Sequence, residues 1–429
     1  MRKLPLLALF LLACQQKPAP PAGRPKDVCA EVKAQVACAV LPEHAPPGIS
    51  AAGNCYDVGN QQYHCGLFEA AEVSLALSAK LEPTARAYHA LGEAQLVQEK
   101  YPAARDSYQQ ALKLDAHKRE SWVRLAQVQV YLGKPTEAHQ AAARARELDP
   151  NKPDADRVDA DAYAAEGDYA KAIDLLHRAA KNGNASEARA AVEHEVQVLT
   201  LELRKLKKDH ADLERIAEAQ GQLADALERE LALNVEAKPA ERVRLYGNLA
   251  DARLAAGQLD KAEEALQKSA ALDPKDFVSS RLVGVLREKR GDAAGARQAL
   301  LASLKVQPKQ AMPFIVLGRL DAAAGDLEAA RKDFSQALAN EDGKDALETR
   351  QLAALALKVG AADKAEALYQ SLDTDPDVSA KVDFWLDRAR ASQALHHATE
   401  VKKACERAHK LVESIDCPPK APRGPARSP

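Results

Sequence analysis

The sequence predicts an all-α protein in which antiparallel helix pairs stack into a solenoid. Three observations indicate this fold class. A pattern of apolar and small residues recurs at intervals of about 34 residues along most of the chain. The composition favours Ala, Leu, Glu, Lys and Arg and includes only 4% aromatic residues, which suits long helices packed through small side chains. Gly and Pro recur at the ends of the periodic segments, where they end one helix and begin the next.

The repeat is clearest between Arg119 and Pro150. Its markers there are Trp122, Leu125, Ala126, Gly133, Ala138, Ala145, Leu148 and Pro150. Much the same offsets recur in Tyr88, Leu91, Gly92, Tyr101, Ala104, Tyr108, Ala111 and Leu114, and in Tyr246, Leu249, Ala250, Gly257, Ala262, Leu266, Leu272 and Pro274. The pattern resembles the tetratricopeptide repeat (TPR), a helix–turn–helix unit of about 34 residues. This resemblance implies a right-handed superhelix that binds partners and does not catalyse a reaction.

The first residues have the pattern of a secretory signal. Arg2 and Lys3 precede a short apolar stretch that ends in Leu11-Leu12-Ala13-Cys14. Those last four residues resemble a bacterial lipobox, which implies that residues 1–13 are removed and that Cys14 receives lipid. A chance cysteine after an ordinary signal is the alternative, although the small residues of an ordinary cleavage site are poorly supplied. By the same resemblance, Gln15 favours the periplasmic face of the outer membrane.

Residues 14–26 combine the lipidated cysteine with a proline-rich tether. A proline-rich chain extends by about 3.1 Å per residue, so the tether would hold the body roughly 35 Å from the lipid. A merely disordered leader is the alternative. After Cys14, an even number of cysteines remains, which indicates disulfides in an exported chain. They are Cys29, Cys38, Cys55, Cys65, Cys405 and Cys417.

The spacing of the first four of these cysteines limits how they can pair. Cys29 and Cys38, like Cys55 and Cys65, would be roughly 13 to 15 Å apart along one helix, beyond the limit of about 7 Å for a disulfide. Two antiparallel helices would instead pair Cys29 with Cys65 and Cys38 with Cys55. We therefore expect a stapled N-terminal cap, with zinc held by the four cysteines, with or without His64, as the alternative. Cys405 and Cys417 would staple the last helix.

The repeat lapses between residues 185 and 240. Two apolar stripes at helical spacing predict two long helices there: Val192, Val196, Leu199, Leu203 and Leu206, then Leu213, Ile216, Leu223, Leu227 and Leu231. If a unit begins near residue 187, the extra 22 residues before Val243 add 11 to each helix. That is about three turns, which keeps the packing face in phase. A projecting arm and a degenerate repeat without a special role both remain open.

The domain organisation follows from these segments. We expect a signal peptide (1–13), a lipidated tether (14–26), a stapled cap with a weak repeat (27–84), a first TPR array (85–184), a long helical hairpin (185–240), a second TPR array (241–378), capping helices (379–417) and a disordered tail (418–429).

The sequence contains none of the common catalytic signatures, namely a phosphate loop, a Rossmann glycine pattern, HExxH or GxSxG. The formal net charge of -2 gives no argument for nucleic acid as a partner. His396 and His397 are a possible metal pair, but adjacent helical residues point about 100° apart, which favours a solvated turn. We therefore expect no enzyme activity, no metal and no cofactor.

The TPR resemblance places the binding groove on the first helix of each pair, at positions 2, 5, 9 and 12. Those positions here include Arg86, His89, Glu93, Glu120, Val123, Gln127, Asp154, Arg157, Asp161, Asp251, Leu254, Val278, Arg281, Met312, Ile315 and Arg319. Chaperone-binding relatives clamp a C-terminal carboxylate with Lys and Asn, and those points are filled differently here. Val278, Met312 and Ile315 predict an apolar wall for an amphipathic helix or extended peptide. Ordinary packing between units is the alternative.

These observations predict a lipid-anchored scaffold or adaptor that binds other cell-envelope proteins or peptides. The chain resembles lipoproteins with such repeats that assist the assembly of pili, secretion channels or exopolysaccharide export. This analogy of architecture does not select among those systems. The alternatives are an envelope enzyme that remodels glycan, and a binder of a small ligand or glycan in the groove. The low aromatic content argues against sugar stacking.

Overall fold

The computed structural model describes Cys29, Cys38 and residues 50–208, 211, 213–341, 346–373, 375, 379 and 381–417. All regular secondary structure in these residues is helical, so the predicted all-α class is confirmed. The expected signal peptide, the lipidation site at Cys14, the tether and the tail lie outside the described residues. The same is true of residues 27–49 of the expected cap, apart from Cys29 and Cys38.

The chain divides into two compact units, residues 1–198 and 199–429, with the boundary inside the helix α9. The first unit contains α1 (Ala51–His64), α2 (Phe68–Leu81), α3 (Ala85–Val97), α4 (Tyr101–Leu114), α5 (Arg119–Tyr131), α6 (Pro135–Leu148), α7 (Asp154–Glu166), α8 (Tyr169–Asn182) and the start of α9 (Ala185–Lys208). The second unit contains the rest of α9 and α10 (Leu213–Leu233), α11 (Pro239–Ala255), α12 (Leu259–Leu272), α13 (Phe277–Lys289), α14 (Ala293–Val306), α15 (Ala311–Ala324), α16 (Leu327–Asn340), α17 (Ala346–Lys358), α18 (Ala362–Ser371), α19 (Val382–Ala394) and α20 (Ala398–Leu411).

Consecutive helices form hairpins, and the closest helix packing is within these pairs, such as α1 with α2 and α11 with α12. In each hairpin other than α9–α10, whose turn lies partly outside the described residues, the turn contains a residue with a positive φ: Gly66, Glu99, Gly133, Gly167, Gly257, Gly291, Gly325, Gly360 and His396. Glycine adopts this conformation without a steric penalty, which explains why most of these positions are glycine. His396 therefore forms a turn. The sequence had suggested it, with His397, as a possible metal ligand.

The predicted long helices are present. The helix α9 has 24 residues and α10 has 21, whereas most of the other helices have 13 or 14. Within the second unit, Leu203 and Leu206 of α9 pack with Ala219 of α10. The two leucines belong to the first apolar stripe of the sequence, so that stripe marks the packing face of α9.

The described residues contain three disulfides, which link the cysteines in the expected pairs. Cys29 is bonded to Cys65 and Cys38 to Cys55, with Cα–Cα distances of 5.5 and 4.6 Å. Cys405 is bonded to Cys417 at a Cα–Cα distance of 5.4 Å. Because these sulfurs are consumed in disulfides, they are not the thiolates that a zinc site would need.

The first helices of successive pairs lie closer together than the second helices do. In the first unit α5 contacts α7 directly, and in the second unit α11 contacts α13, α13 contacts α15 and α15 contacts α17. Within the described residues, consecutive second helices make no comparable contact. The first helices therefore line the inner side of each unit. We call the side chains that they present there the inner surface.

Candidate functional site

The inner surface of the first unit is a network of polar side chains that satisfy one another. Glu93 accepts a hydrogen bond from the Tyr108 hydroxyl at 2.7 Å and pairs with Arg124 Nε at 2.9 Å. Arg124 Nη1 also donates to Gln127 Oε1 at 3.0 Å, and Gln127 Nε2 donates to the Tyr131 hydroxyl at 3.1 Å. Two of the predicted groove residues, Glu93 and Gln127, thus lie in this network, where they are already bonded within the protein.

Burial shifts the pKa values of two rings near this network towards their neutral forms. Burial, followed by the charge of Glu93, raises the pKa of Tyr63 to about 12. Burial lowers the pKa of His89, whose Nδ1 lies 2.9 Å from Ser121 Oγ. His89 is therefore neutral at pH 7, and it contributes a hydrogen bond between α3 and α5 without a charge.

Two arginines of this unit stand apart from the network. The Arg86 guanidinium lies 4.0 Å from the centre of the Tyr56 ring, a cation–π contact on an exposed side chain. Arg157 is partly exposed, but its Nε is buried without a hydrogen-bond partner among the described residues. Two further predicted positions of this unit form internal pairs, since Asp154 bonds Arg119 and Asp161 pairs with His194, whereas the predicted position Glu120 is exposed.

Three predicted groove residues are buried instead of lining an open surface, and we correct those assignments. Val123 is 7% exposed and packs with Ala145 and Ala155. Leu254 is 3% exposed. Ile315 is 0% exposed and belongs to the core of the second unit. At Val123 and Ile315, the cover includes apolar side chains of the following repeat.

The inner surface of the second unit carries a line of apolar side chains at one repeated position. Val278, Met312 and Leu347 are each the second residue of their first helix, α13, α15 and α17. Val278 and Met312 are partly exposed, and Leu347 is 51% exposed. Met312 rests on a cluster that includes Leu300 and Leu317. The apolar wall predicted from the sequence thus keeps two of its three residues and exchanges Ile315 for Leu347.

Gly247 borders this line on the neighbouring helix α11. A Cβ built on Gly247 would have only one neighbour within 4 Å, Val278 Cγ1 at 3.9 Å. A methyl group would therefore fit there in ordinary van der Waals contact. The glycine leaves a small notch beside Val278 at the end of the apolar line.

Arginines flank the apolar line. Arg281 and Arg350 occupy the fifth positions of α13 and α17, on either side of the buried Ile315. Arg319 is held by both carboxylate oxygens of Glu288 at 2.7 and 3.0 Å, and it donates to Gln351 Oε1 at 2.8 Å. Arg350 pairs with the exposed carboxylate of Asp383. Arg281 has no carboxylate within 4 Å among the described residues.

Leu347 and Arg350 were missed from the sequence because they lie in a weak repeat. The unit that begins near Ala346 is recognisable, but its second and fifth residues were not carried over to the groove. The repeat length could have identified Leu347, because Val278, Met312 and Leu347 follow one another at steps of about 34 residues.

Neither a metal-binding cluster nor a membrane-spanning helix is present in the residues that the structure describes. In that part of the chain, no three His, Cys, Asp or Glu side chains converge as a metal ion would require. None of the described helices combines the length and apolar character needed to cross a bilayer. His397 Nδ1 lies 2.8 Å from Glu366 Oε2, and Ser392 Oγ donates to the other oxygen of that carboxylate at 2.7 Å. This contact satisfies a buried carboxylate at the junction of two helix pairs.

Comparison with protein families identifies tetratricopeptide repeats at residues 85–118, 123–193 and 243–276. These segments cover α3 to the start of α9 in the first unit and α11 with α12 in the second. The repeats expected from the sequence in these segments are therefore confirmed. Comparison with curated proteins gives no match.

Several solved structures resemble this chain in fold at low sequence identity. Yeast Tom70 is 16% identical, with a TM-score of 0.34 over 85% of this chain and 77% of that chain. The Cut9–Hcn1 hetero-tetramer of the APC/C is 12% identical, with a TM-score of 0.35 over 85% of this chain and 88% of that chain. MamA is 19% identical, with a TM-score of 0.31 over 38% of this chain and 94% of that chain.

Proposed function

We propose that this protein is a TPR scaffold that binds other proteins through the inner surface of its helix pairs. Stacked repeats of this kind offer extended surfaces for binding, and the chain carries such repeats in both units. The observation that carries the proposal is the line formed by Val278, Met312 and Leu347. These side chains are repeated on consecutive first helices, and they remain partly exposed beside arginines. Exposed apolar residues in a row mark a contact surface better than scattered ones do.

We further propose that the scaffold works in the bacterial cell envelope, attached by lipid at Cys14. The support is the resemblance of residues 11–14 to a lipobox and the three disulfides, which persist in oxidising compartments. In this setting the proline-rich tether spaces the repeats from the periplasmic face of the outer membrane. The scaffold would then hold proteins of an envelope complex, such as a pilus, a secretion channel or an exopolysaccharide exporter, during assembly.

Site-specific photo-cross-linking in cells tests the binding function. A photoreactive amino acid at Leu347 samples the inner surface, and one at Leu301 samples the second helix α14. The two positions are matched because the native side chains are 51% and 53% exposed. We expect a discrete protein adduct from position 347 that position 301 does not form. Equal adducts from both positions, or none from 347, would contradict binding at this surface.

The lipid anchor has a separate test. Cys14→Ala should move the protein from the membrane pellet to the soluble periplasmic fraction, because a lipid chain is then missing. Gln16→Ala, two residues away, is the control and should stay with the membrane. If Cys14→Ala still pellets with the membrane as the parent protein does, the lipobox assignment is wrong.

A further inference from the structure

We infer that the inner surface of the second unit binds an acidic, extended segment of a partner protein, with apolar residues at every third position. This inference rests on the proposed scaffold function and specifies the chemistry of what that surface binds. It depends on two features of α13, α15 and α17, namely the apolar line and the arginines beside it.

The apolar line sets where the segment's side chains would lie. Val278, Met312 and Leu347 occupy the same position on helices that contact one another in order. Packed helices lie about 8 to 10 Å apart. An extended chain in the polyproline II conformation has three residues per turn and advances about 3.1 Å per residue, so side chains three residues apart lie on one face about 9 Å apart. One apolar side chain of the segment can therefore meet each helix in turn.

The arginines determine which charge on the bound segment would be favourable. Arg319 and Arg350 each have one carboxylate partner, Glu288 and Asp383. Arg281 is partly exposed and has none within 4 Å among the described residues. An acidic side chain beside Val278 would pair with Arg281, whereas a basic one would place two positive charges together. Charge complementarity therefore favours a partner rich in Asp or Glu.

The first unit does not offer the same combination. Its Glu93, Arg124 and Gln127 already bond to one another and to two tyrosines. A partner there would have to replace internal hydrogen bonds. On the second unit, in contrast, apolar contacts and the charge of Arg281 are available without such a replacement.

Met312 can serve as an NMR reporter at the centre of the proposed site, because the chain contains few methionines. Met1 and Met312 are the two methionines of the chain. In protein labelled with ¹³C-methyl methionine, Met312 gives one internal methyl resonance, which Met312→Leu assigns by removing it. Methionine is flexible and adapts to varied partners, so its methyl group should respond to a bound apolar side chain.

Defined synthetic peptides test the inference on the full chain. The probe is a capped nine-residue peptide with Leu at its second, fifth and eighth positions, Asp between them and Ser at both ends. Two matched probes replace Asp with Asn, or place Leu at every second position. We expect the first probe to shift the Met312 resonance, and both matched probes to bind at least about five-fold more weakly.

Variants of the protein complete the test. Arg281→Gln should weaken the acidic probe about five-fold and leave the Asn probe unchanged. Lys268→Gln is the control, since Lys268 is an exposed cation on the second helix α12, and it should have no effect. Equal binding of the Asp and Asn probes, or no Met312 shift at about 1 mM probe, overturns the inference. If the position-347 adduct persists in that case, the scaffold proposal stands and only the partner chemistry is wrong.

Discussion

Gly92 of α3 lies directly against the ring of Tyr108 in α4. A Cβ placed on Gly92 would be 2.7 Å from Tyr108 Cε1 and 2.8 Å from Cζ, closer than real Cβ contacts allow. The ring is completely buried, and its hydroxyl is held by Glu93 at 2.7 Å. The ring therefore cannot move aside without losing that hydrogen bond. The absence of a side chain at Gly92 fixes how closely the two helices of this repeat approach.

Gly92→Ala should lower the free energy of unfolding by about 1 to 3 kcal/mol, because overpacking outweighs the gain in helix propensity. Urea unfolding followed by circular dichroism measures this change. Gly247→Ala is the matched control, since its new methyl group would meet only Val278 Cγ1 at 3.9 Å. That variant should be neutral or more stable by up to about 1 kcal/mol. Equal effects at the two glycines would show that the Tyr108 contact does not limit the packing.

Contacts inside one repeat were predictable from the sequence, whereas contacts between repeats were not. Gly92 and Tyr108 belong to one motif with fixed offsets, so their meeting follows from recognising the repeat. Val123 and Ile315 were expected on an open surface but are buried, because the following repeat covers them. Whether a position is covered depends on the size of the side chains in the next repeat. A single repeat does not contain that information.

Glu99 and His396 occupy the turn position that glycine fills in seven other hairpins of the described residues. Both have a φ of 60°, which costs a residue with a Cβ about 1 to 2 kcal/mol. Glu99→Gly and His396→Gly should each raise the free energy of unfolding by about 0.5 to 1 kcal/mol, after the extra freedom of glycine in the unfolded chain is subtracted. Thermal unfolding measures the gain. Gly133→Ala is the reverse control, and stabilisation by that change would contradict the strain argument.

Arg253 of α11 is 1% exposed, and its guanidinium group is paired with two carboxylates of α10. Its Nη2 lies 2.7 Å from Asp225 Oδ1 and 2.9 Å from Glu228 Oε1. Replacing both acids with Ala leaves a buried positive charge unpaired, which should cost about 3 kcal/mol. Arg253→Met removes the charge, keeps much of the volume and leaves both carboxylates in water. In urea unfolding, Arg253→Met should lower the free energy of unfolding less than the double variant does. A larger decrease for Arg253→Met would show that Arg253 stabilises the fold mainly through packing.

The disulfide between Cys405 and Cys417 holds the chain after α20 against the core of the second unit. Cys405 is 8% exposed and packs within the core, whereas Cys417 is partly exposed at its edge. Cys417→Ser therefore removes the cross-link with little change in packing. Because the two cysteines are 12 residues apart, the loss should be about 3 kcal/mol in the chain-entropy account. Urea unfolding of the second unit measures it, and a midpoint equal to that of the parent protein would rule out a stabilising staple.

Asp333 of α16 should make the second unit less stable as the pH rises from 4 to 7. Burial, followed by a hydrogen bond with Asp321, raises the pKa of Asp333 to about 6, compared with 3.8 for an ordinary aspartate. Arg297 pairs with Asp321, and the charges of Arg297 and Lys332 offset the shift only in part. Because the folded protein binds this proton more tightly than the unfolded chain, the stabilisation is complete below about pH 4. It is lost as the pH rises through about 6.

Asp333→Asn removes this titration and keeps a neutral polar group beside Asp321. The variant should unfold at a higher temperature than the parent protein at pH 7.5, and the difference should shrink towards zero near pH 4. Thermal unfolding at several pH values measures both parts of this prediction. Glu264→Gln is the control, because Glu264 is exposed on α12 and forms no ion pair among the described residues. A constant difference at all pH values would mean that Asn changes the packing at Asp321 and that no proton is shared there.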